Sequence, residues 1–233
     1  MRRSGMEFRH EYKFMLSVTH AAYLKAEISA LMDRDQNSKE AGNYEIRSIY
    51  FDDWQEGCLK QNEAGTDPRQ KYRIRAYNSD DGVIVLEKKI KQNGMTRKLH
   101  QAIDKKQYDL LMEDRDSLGE DFHSQPSLVK ELLMLKQTKH MRPKVIVAYE
   151  RTPFVEKSGN VRITFDDDIA SSVDFEDFFK TRLHKRPVMP LGETLMEVKF
   201  DEFLPTYIKE TLGQGDLSQT TFSKYYLCRR YSL

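Results

Sequence analysis

Cysteine is scarce in this 233-residue chain: Cys58 and Cys228 are the only two, and their spacing makes neither a disulfide framework nor a zinc cluster. No apolar signal segment opens the chain, which sets the expectation of a cytoplasmic location. Apolar runs stay well short of the roughly 18 to 20 residues of a membrane span, so any membrane association is expected to pass through a membrane-protein partner. An excess of one charge is missing as well. The 38 Lys and Arg stand against 37 Asp and Glu, a net charge of +1, which leaves no overall field to hold nucleic acid. An anion site must therefore come from local clustering. Internal repeats, low-complexity tracts and a Pro/Gly/Ser-rich linker are absent too, and the expectation is one domain over residues 1–233, long enough to bury a sizeable core.

Several kinds of chemistry are equally without support. His10, His100, His123 and His140 show no metal-ligand spacing and read as surface or packing residues. No Walker-type glycine loop is present, so a nucleotide would be held through its phosphates without a P-loop.

What the chain has is charge, 32% of its residues, laid out with period two. Alternation over 7–15, 44–52, 71–78, 83–91, 95–103, 144–151, 161–168 and 194–201 predicts about eight strands. Turns at Asp80-Asp81-Gly82 and Ser158-Gly159-Asn160 join neighbouring runs as hairpins, so the sheet is expected to be largely antiparallel. Loops are expected at 36–42, 65–68, 79–82, 157–160 and 185–192. Helical spacing is confined to 19–32 with Thr19 as cap, 104–112 with Asp104 as cap, 127–137 and 205–212.

The polar faces of the strands separate this sequence from a generic sheet. Glu11 and Lys13 share a face, as do Lys71, Arg73 and Arg75; Glu87, Lys89 and Lys91; and Glu197, Lys199 and Asp201. Arg162 and Asp166 project from another strand, and Arg151 ends one more. On a single strand such a face reads as solvated surface. Taken together, the faces are too uniformly Lys, Arg and Glu for that, and a sheet of about eight strands can close into a barrel with helices outside and the charges inside. Such an interior needs a polyanion, because like charges crowded away from water repel. Arg and Lys match phosphate oxygens, and the interspersed carboxylates would hold a hard divalent cation, Mn²⁺ or Mg²⁺, against them. The fold class expected is α+β, a mostly antiparallel eight-stranded barrel with helices packed on the outside.

The segments RHEYK (9–13), IRSIYFD (46–52), KYRIR (71–75), LEKK (86–89), AYER (148–151), VRITFD (161–166), MEVK (196–199) and FSK (222–224) resemble, in order, the VTC domain, the polyphosphate-polymerase branch of the triphosphate tunnel metalloenzymes or CYTH-like superfamily. The likeness spans nearly the whole chain. It implies that Lys13, Arg73, Arg75, Lys89, Arg151, Arg162 and Lys199 line the tunnel and hold phosphates, with Arg47 and Lys71 as additions and either Arg97 or Lys98 after the hairpin at Gly94. It implies Glu197 as the main metal ligand, and Glu11 and Glu87 as second ligands or as partners of the lysines. Lys224 matches the lysine given a catalytic role in the family. A second lysine expected just before it is replaced here among Thr220, Thr221 and Phe222.

Three readings of the activity stand open: a polymerase moving the terminal phosphate of ATP or another nucleoside triphosphate onto polyphosphate, a triphosphate hydrolase, and a non-catalytic polyphosphate sensor. Hydrolases of the superfamily resemble one another in an earlier glutamate on the first strand, where this chain has Arg9, which favours the polymerase. Elsewhere, Trp54 and Tyr50 are expected to pack beside the second strand, and Asp166-Asp167-Asp168 either to end a strand in solvent, the favoured reading, or to bind a metal. Residues 183–190 form either a loop at the tunnel mouth or a partner contact.

Overall fold

The computed structural model describes residues 9–35, 42–114, 120–213 and 217–232. In chain order its elements are β1 (His10–Ser17), α1 (Val18–Leu31), β2 (Asp33–Arg34), β3 (Tyr44–Asp52), α2 (Gly57–Glu63), β4 (Arg69–Tyr77), β5 (Asp80–Gln92), β6 (Met95–Ile103), α3 (Lys105–Met112), α4 (Ser127–Lys139), β7 (Arg142–Glu156), β8 (Val161–Ser172), β9 (Arg186–Pro187), β10 (Glu193–Phe200), α5 (Thr206–Gly213) and α6 (Lys224–Arg230). All eight expected strands form. Positions 7–8 of the first expected strand and 36–41 of the first expected loop lie outside the described residues.

The strands pair antiparallel in the order β1-β10-β8-β7-β3-β4-β5-β6, with β2 added to β7 and β9 to β8. The sheet curls until its edges meet. Arg9 and Thr96 exchange backbone hydrogen bonds of 3.2 and 3.4 Å across that seam. Further along β1, Gln219 bridges Phe14, and the Thr220 amide donates to the Lys13 carbonyl at 2.8 Å. The C-terminal segment therefore occupies the edge of β1 that β10 leaves free.

Period two decides what faces where. On β5, Ile84 and Leu86 point outward into a core with Leu111 of α3 and Leu132 of α4, while Glu87 and Lys89 alternate with them. On β10 and β8, Met196, Val198, Ile163 and Phe165 face out beneath Leu24 and Ile28 of α1 and Ile208 of α5. A third core lies inside the curl, where Ile46, Val147, Tyr149 and Leu195 pack on Tyr225 and Cys228 of α6.

Local signals explain most boundaries. Asp104 forms a full capping box with Gln107, as expected for α3. The cap of α1 is Ser17, two residues before the expected Thr19, because its hydroxyl accepts the His20 amide. The β4–β5 turn is Asn78-Ser79, both at positive φ, and Gly82 belongs to β5; an Asn in that region supplies the hairpin's twist without glycine. At the β7–β8 turn Gly159 has φ +69°, and a Cβ there would sit 2.4 Å from the Phe203 carbonyl oxygen. Helices α2 and α6 fall outside the sequence expectation. Among the described residues no helix is long and apolar enough to cross a membrane.

Candidate functional site

The curl encloses a cavity of about 750 Å³. One wall is β4, β5 and β6, whose register sets Arg69 opposite Lys91, Lys71 opposite Lys89, Lys89 opposite Lys98, and Arg73 opposite Glu87. Arg73 Nε donates to Glu87 Oε2 at 2.7 Å, and Arg75 Nη1 lies 3.5 Å from Oε1. Burial would raise the Glu87 carboxyl, but these guanidiniums hold it far below the usual range. Arg73 also donates to the Tyr50 hydroxyl at 2.8 Å, and Arg75 to that of Tyr149 at 3.4 Å.

The other wall centres on Glu197. Lys199 donates to one of its oxygens and Lys224 to the other at 2.9 Å, with Arg151 at 3.7 Å and Lys13 at 3.8 Å. Desolvation alone would push the Glu197 carboxyl up, yet these four cations keep it well below its ordinary value. Glu11, opposite Lys199 in the register, takes Lys89 at 3.1 Å and Lys13 at 3.3 Å. Asp166 is fully buried and accepts a forked pair from Arg151, Nε at 2.6 Å and Nη2 at 2.7 Å, with Lys224 at 2.6 Å.

Burial lowers four lysines of the cavity, Lys71, Lys91, Lys98 and Lys199, below their ordinary value. Burial outweighs the attraction of Glu197 and Glu11 and brings Lys199 down to about 8. Burial together with the neighbouring Lys89, Arg69 and Lys13 brings Lys71 down to about 7. Lys71 donates to Asn62 Oδ1 at 2.7 Å and Ser223 Oγ at 3.3 Å. Ser223 caps α6 by accepting the Tyr226 amide, which makes Lys224 the first residue of that helix and aims it into the cavity.

Of the residues singled out from sequence, Glu11, Lys13, Lys71, Arg73, Arg75 and Lys89 line this one cavity, and so do Lys98, Arg151, Glu197, Lys199 and Lys224. Four stand elsewhere. Arg47 points out of the curl, is 2% exposed, and spends its guanidinium on the carbonyls of Asp177, Phe178, Lys180 and Thr181 and on Glu45. Arg97 sits opposite Ile90, on the outer face of β6, which leaves Lys98 as the inward residue after the hairpin. Arg162 is tied to Asp35 and the Tyr44 hydroxyl. Glu87 is committed to Arg73 and Arg75 and does not line the cavity, so it holds arginines rather than offering a free ligand.

Arg69, Lys91 and Asp166 were missed as site residues. The first two continue the rows of Lys71 and Lys89 by one more i+2 step, a signal present in the sequence. Asp166 does not end its strand in solvent, because β8 runs on to Ser172. Trp54 is 68% exposed, whereas Tyr50 is part of the cavity wall. In the stretch 183–190, Leu183 and Val188 are buried and Arg186–Pro187 forms β9; none of it lines the cavity.

Glu11 and Glu197 are the donors that fit a divalent cation. Both carboxylates face the cavity, both approach Lys13 Nζ, and each charge disfavours the other, which a hard cation between them would relieve. Such an ion is commonly held by one or two carboxylates, its other positions going to water and phosphate oxygens. Among the described residues, the one group of three close ligand atoms is Asp174, Asp177 and His184, away from the cavity and with Asp177 already bound to Lys180.

An eight-stranded antiparallel curl around a bore of Lys, Arg and Glu is the triphosphate tunnel fold. Solved structures with this fold include a Hippeastrum protein described by a dominant triphosphatase activity, at 13% identity and TM-score 0.55 over 98% of this chain and 97% of that one. Protein PH1819 of Pyrococcus horikoshii matches at 13% identity and TM-score 0.50, over 96% and 99% of the two chains. At such identities the likeness is one of fold. No curated protein sequence matches the chain. The VTC domain family model matches residues 8–232, and the chain belongs to the VTC domain family.

Proposed function

We propose that this VTC domain, a single unit over residues 1–233, is a polyphosphate polymerase. It transfers the terminal phosphate of a nucleoside triphosphate, ATP in the first instance, onto a polyphosphate chain. The observation that carries this reading is the meeting, in one cavity, of a cation-rich wall on β4–β6 with the Glu11–Glu197 pair and Lys224. Lys13, Lys71, Arg73, Arg75, Lys89, Lys98, Arg151 and Lys199 hold phosphate oxygens, and Glu197 with Glu11 holds Mn²⁺ or Mg²⁺. When bound, the ion supplies positive charge to the reacting phosphoryl oxygens. The protein's own part is to hold donor and acceptor phosphates in line and to stabilise charge on the equatorial oxygens, which Lys224 and Arg151, fixed by Asp166, are placed to do.

Transfer is favoured over hydrolysis by the state of the acids. Against the raising effect of burial, neighbouring cations hold the carboxyls of Glu11, Glu197 and Asp166 below their ordinary values, which makes each a weak base toward an attacking water. Arg9, in the place of the hydrolases' extra glutamate, turns to Asp201 at 2.6 Å. The Hippeastrum relative, described by its triphosphatase activity, keeps hydrolysis as the second reading. Incubation with ATP and Mn²⁺ or Mg²⁺ separates them. Long-chain polyphosphate supports the polymerase, free phosphate alone supports the hydrolase, and tight polyphosphate binding without turnover marks a sensor.

A further inference from the structure

The β4–β6 wall places like charges directly opposite one another in two successive rows. Arg69 faces Lys91, and one step inward Lys71, Lys89 and Lys98 stand side by side. Like charges in direct cross-strand register are destabilising. The next row inward, Arg73 with Glu87, is neutralised within the sheet. Only Lys89 of the two outer rows forms an ion pair with a described residue, Glu11, while Lys98 and Lys91 are attracted at longer range by Glu87 and Asp67. Arg69 spends one nitrogen on the Thr66 carbonyl and otherwise faces the cavity. The two outer rows thus carry repulsion that an anion lying along them would remove.

Length says which anion. From Arg75 to Arg69 the strand advances six residues, about 20 Å at the usual rise. The inner end holds the Arg75–Tyr149 contact, with Lys224 stacked on the same Tyr149 ring at 4.9 Å. A triphosphate, three tetrahedra joined through shared oxygens, is too short to reach from there to the rim.

We propose that Arg69 and Lys91 form an outer subsite that selects long phosphate chains over triphosphate, with Lys71, Lys89 and Lys98 gripping the stretch between that subsite and the reacting end. This rests on reading the cavity as a phosphate site. The chain leaves along the β4–β6 wall, past the Glu11 carboxylate that Lys89 holds. Arg69 and Lys91 act on chain length, not on the transferred phosphate.

The test is the double variant Arg69→Gln/Lys91→Gln, with Lys106→Gln/Lys209→Gln on exposed helix positions as a control for net charge. Affinities for inorganic triphosphate and for long-chain inorganic polyphosphate are measured without metal, so that turnover does not intervene. The ratio of long-chain to triphosphate affinity is expected to fall at least about 10-fold in the first variant and to hold in the second. The slope of log affinity against log salt for the long chain should shrink by roughly 1.5, as for two lost phosphate contacts. Melting without ligand should stay level or rise, since repulsion is relieved. An unchanged ratio overturns the outer subsite while leaving the phosphate site standing. Wild-type protein that binds neither ligand ends both.

Discussion

The hydroxyl of Tyr225, on α6, donates to the buried carboxylate of Asp52 at the end of β3. The same carboxylate accepts the amides of Cys58 at 2.8 Å and Leu59 at 3.0 Å at the start of α2. One side chain thus ties the first turn of α2 and the residue after Lys224 to the barrel. Removing the hydroxyl in Tyr225→Phe loses a hydrogen bond to a charged acceptor, worth about 2 kcal/mol. Denaturant unfolding should show that loss. Turnover should fall with it, because α6 carries Lys224; full activity in a destabilised variant would detach the two.

Glu197→Gln leaves Lys13, Lys199, Lys224 and Arg151 facing the cavity with one negative charge fewer. Metal-dependent turnover is expected to drop about 100-fold or more, the scale of losing one electrostatic stabiliser of a transition state. Triphosphate affinity measured without metal should hold or tighten. Undiminished turnover would remove Glu197 from the metal site.

Lys224→Met keeps the length of the stem and removes the charge. Asp166 retains its fork to Arg151, so the buried acid is not left unpaired. The expected outcome is a fall in kcat clearly larger than the change in triphosphate affinity. Equal losses would make Lys224 a plain phosphate contact.

Lys71 sets a pH dependence. Its folded-state pKa is brought down to about 7 by burial and by Lys89, Arg69 and Lys13, from an unfolded value near 10.5. Below about pH 7 both states carry the proton; between there and about 10.5 only the unfolded chain does, so this group makes stability rise with pH across that window. A phosphate chain beside the amine favours its charged form. Binding at pH 8 should therefore take up protons, at Lys71 first and also at Lys199, which burial brings down to about 8. Calorimetry in buffers of different ionisation enthalpy reads that uptake, and Lys71→Met should lower it. Binding of wild type without proton exchange at pH 8 would contradict the assignment.

The strands were legible because each alternates apolar and charged residues, so period and face come from the same letters. Lys71, Arg73 and Arg75, or Glu197 and Lys199, declare one side of a strand on sight. Arg47 misled because β3 is apolar on both faces: Ile46 and Tyr50 point inward, Ile49 and Phe51 outward, and no alternation marks which side an arginine takes. Helices α2 and α6 escaped because each is only seven residues long, too short for a helical stripe to stand out, and α6 is held to Asp52 across 173 residues of sequence.

By itself the sequence determined the eight strands, the charged face of most of them and the family to which the chain belongs. Only the tertiary structure decided that Arg162 and Glu87 are tied up, that Asp166 anchors Arg151 and Lys224, and that Arg69 and Lys91 face each other. Side-chain direction on a strand is a local property with a period of two, whereas the partner a charge meets depends on the register between strands brought together only when the sheet curls.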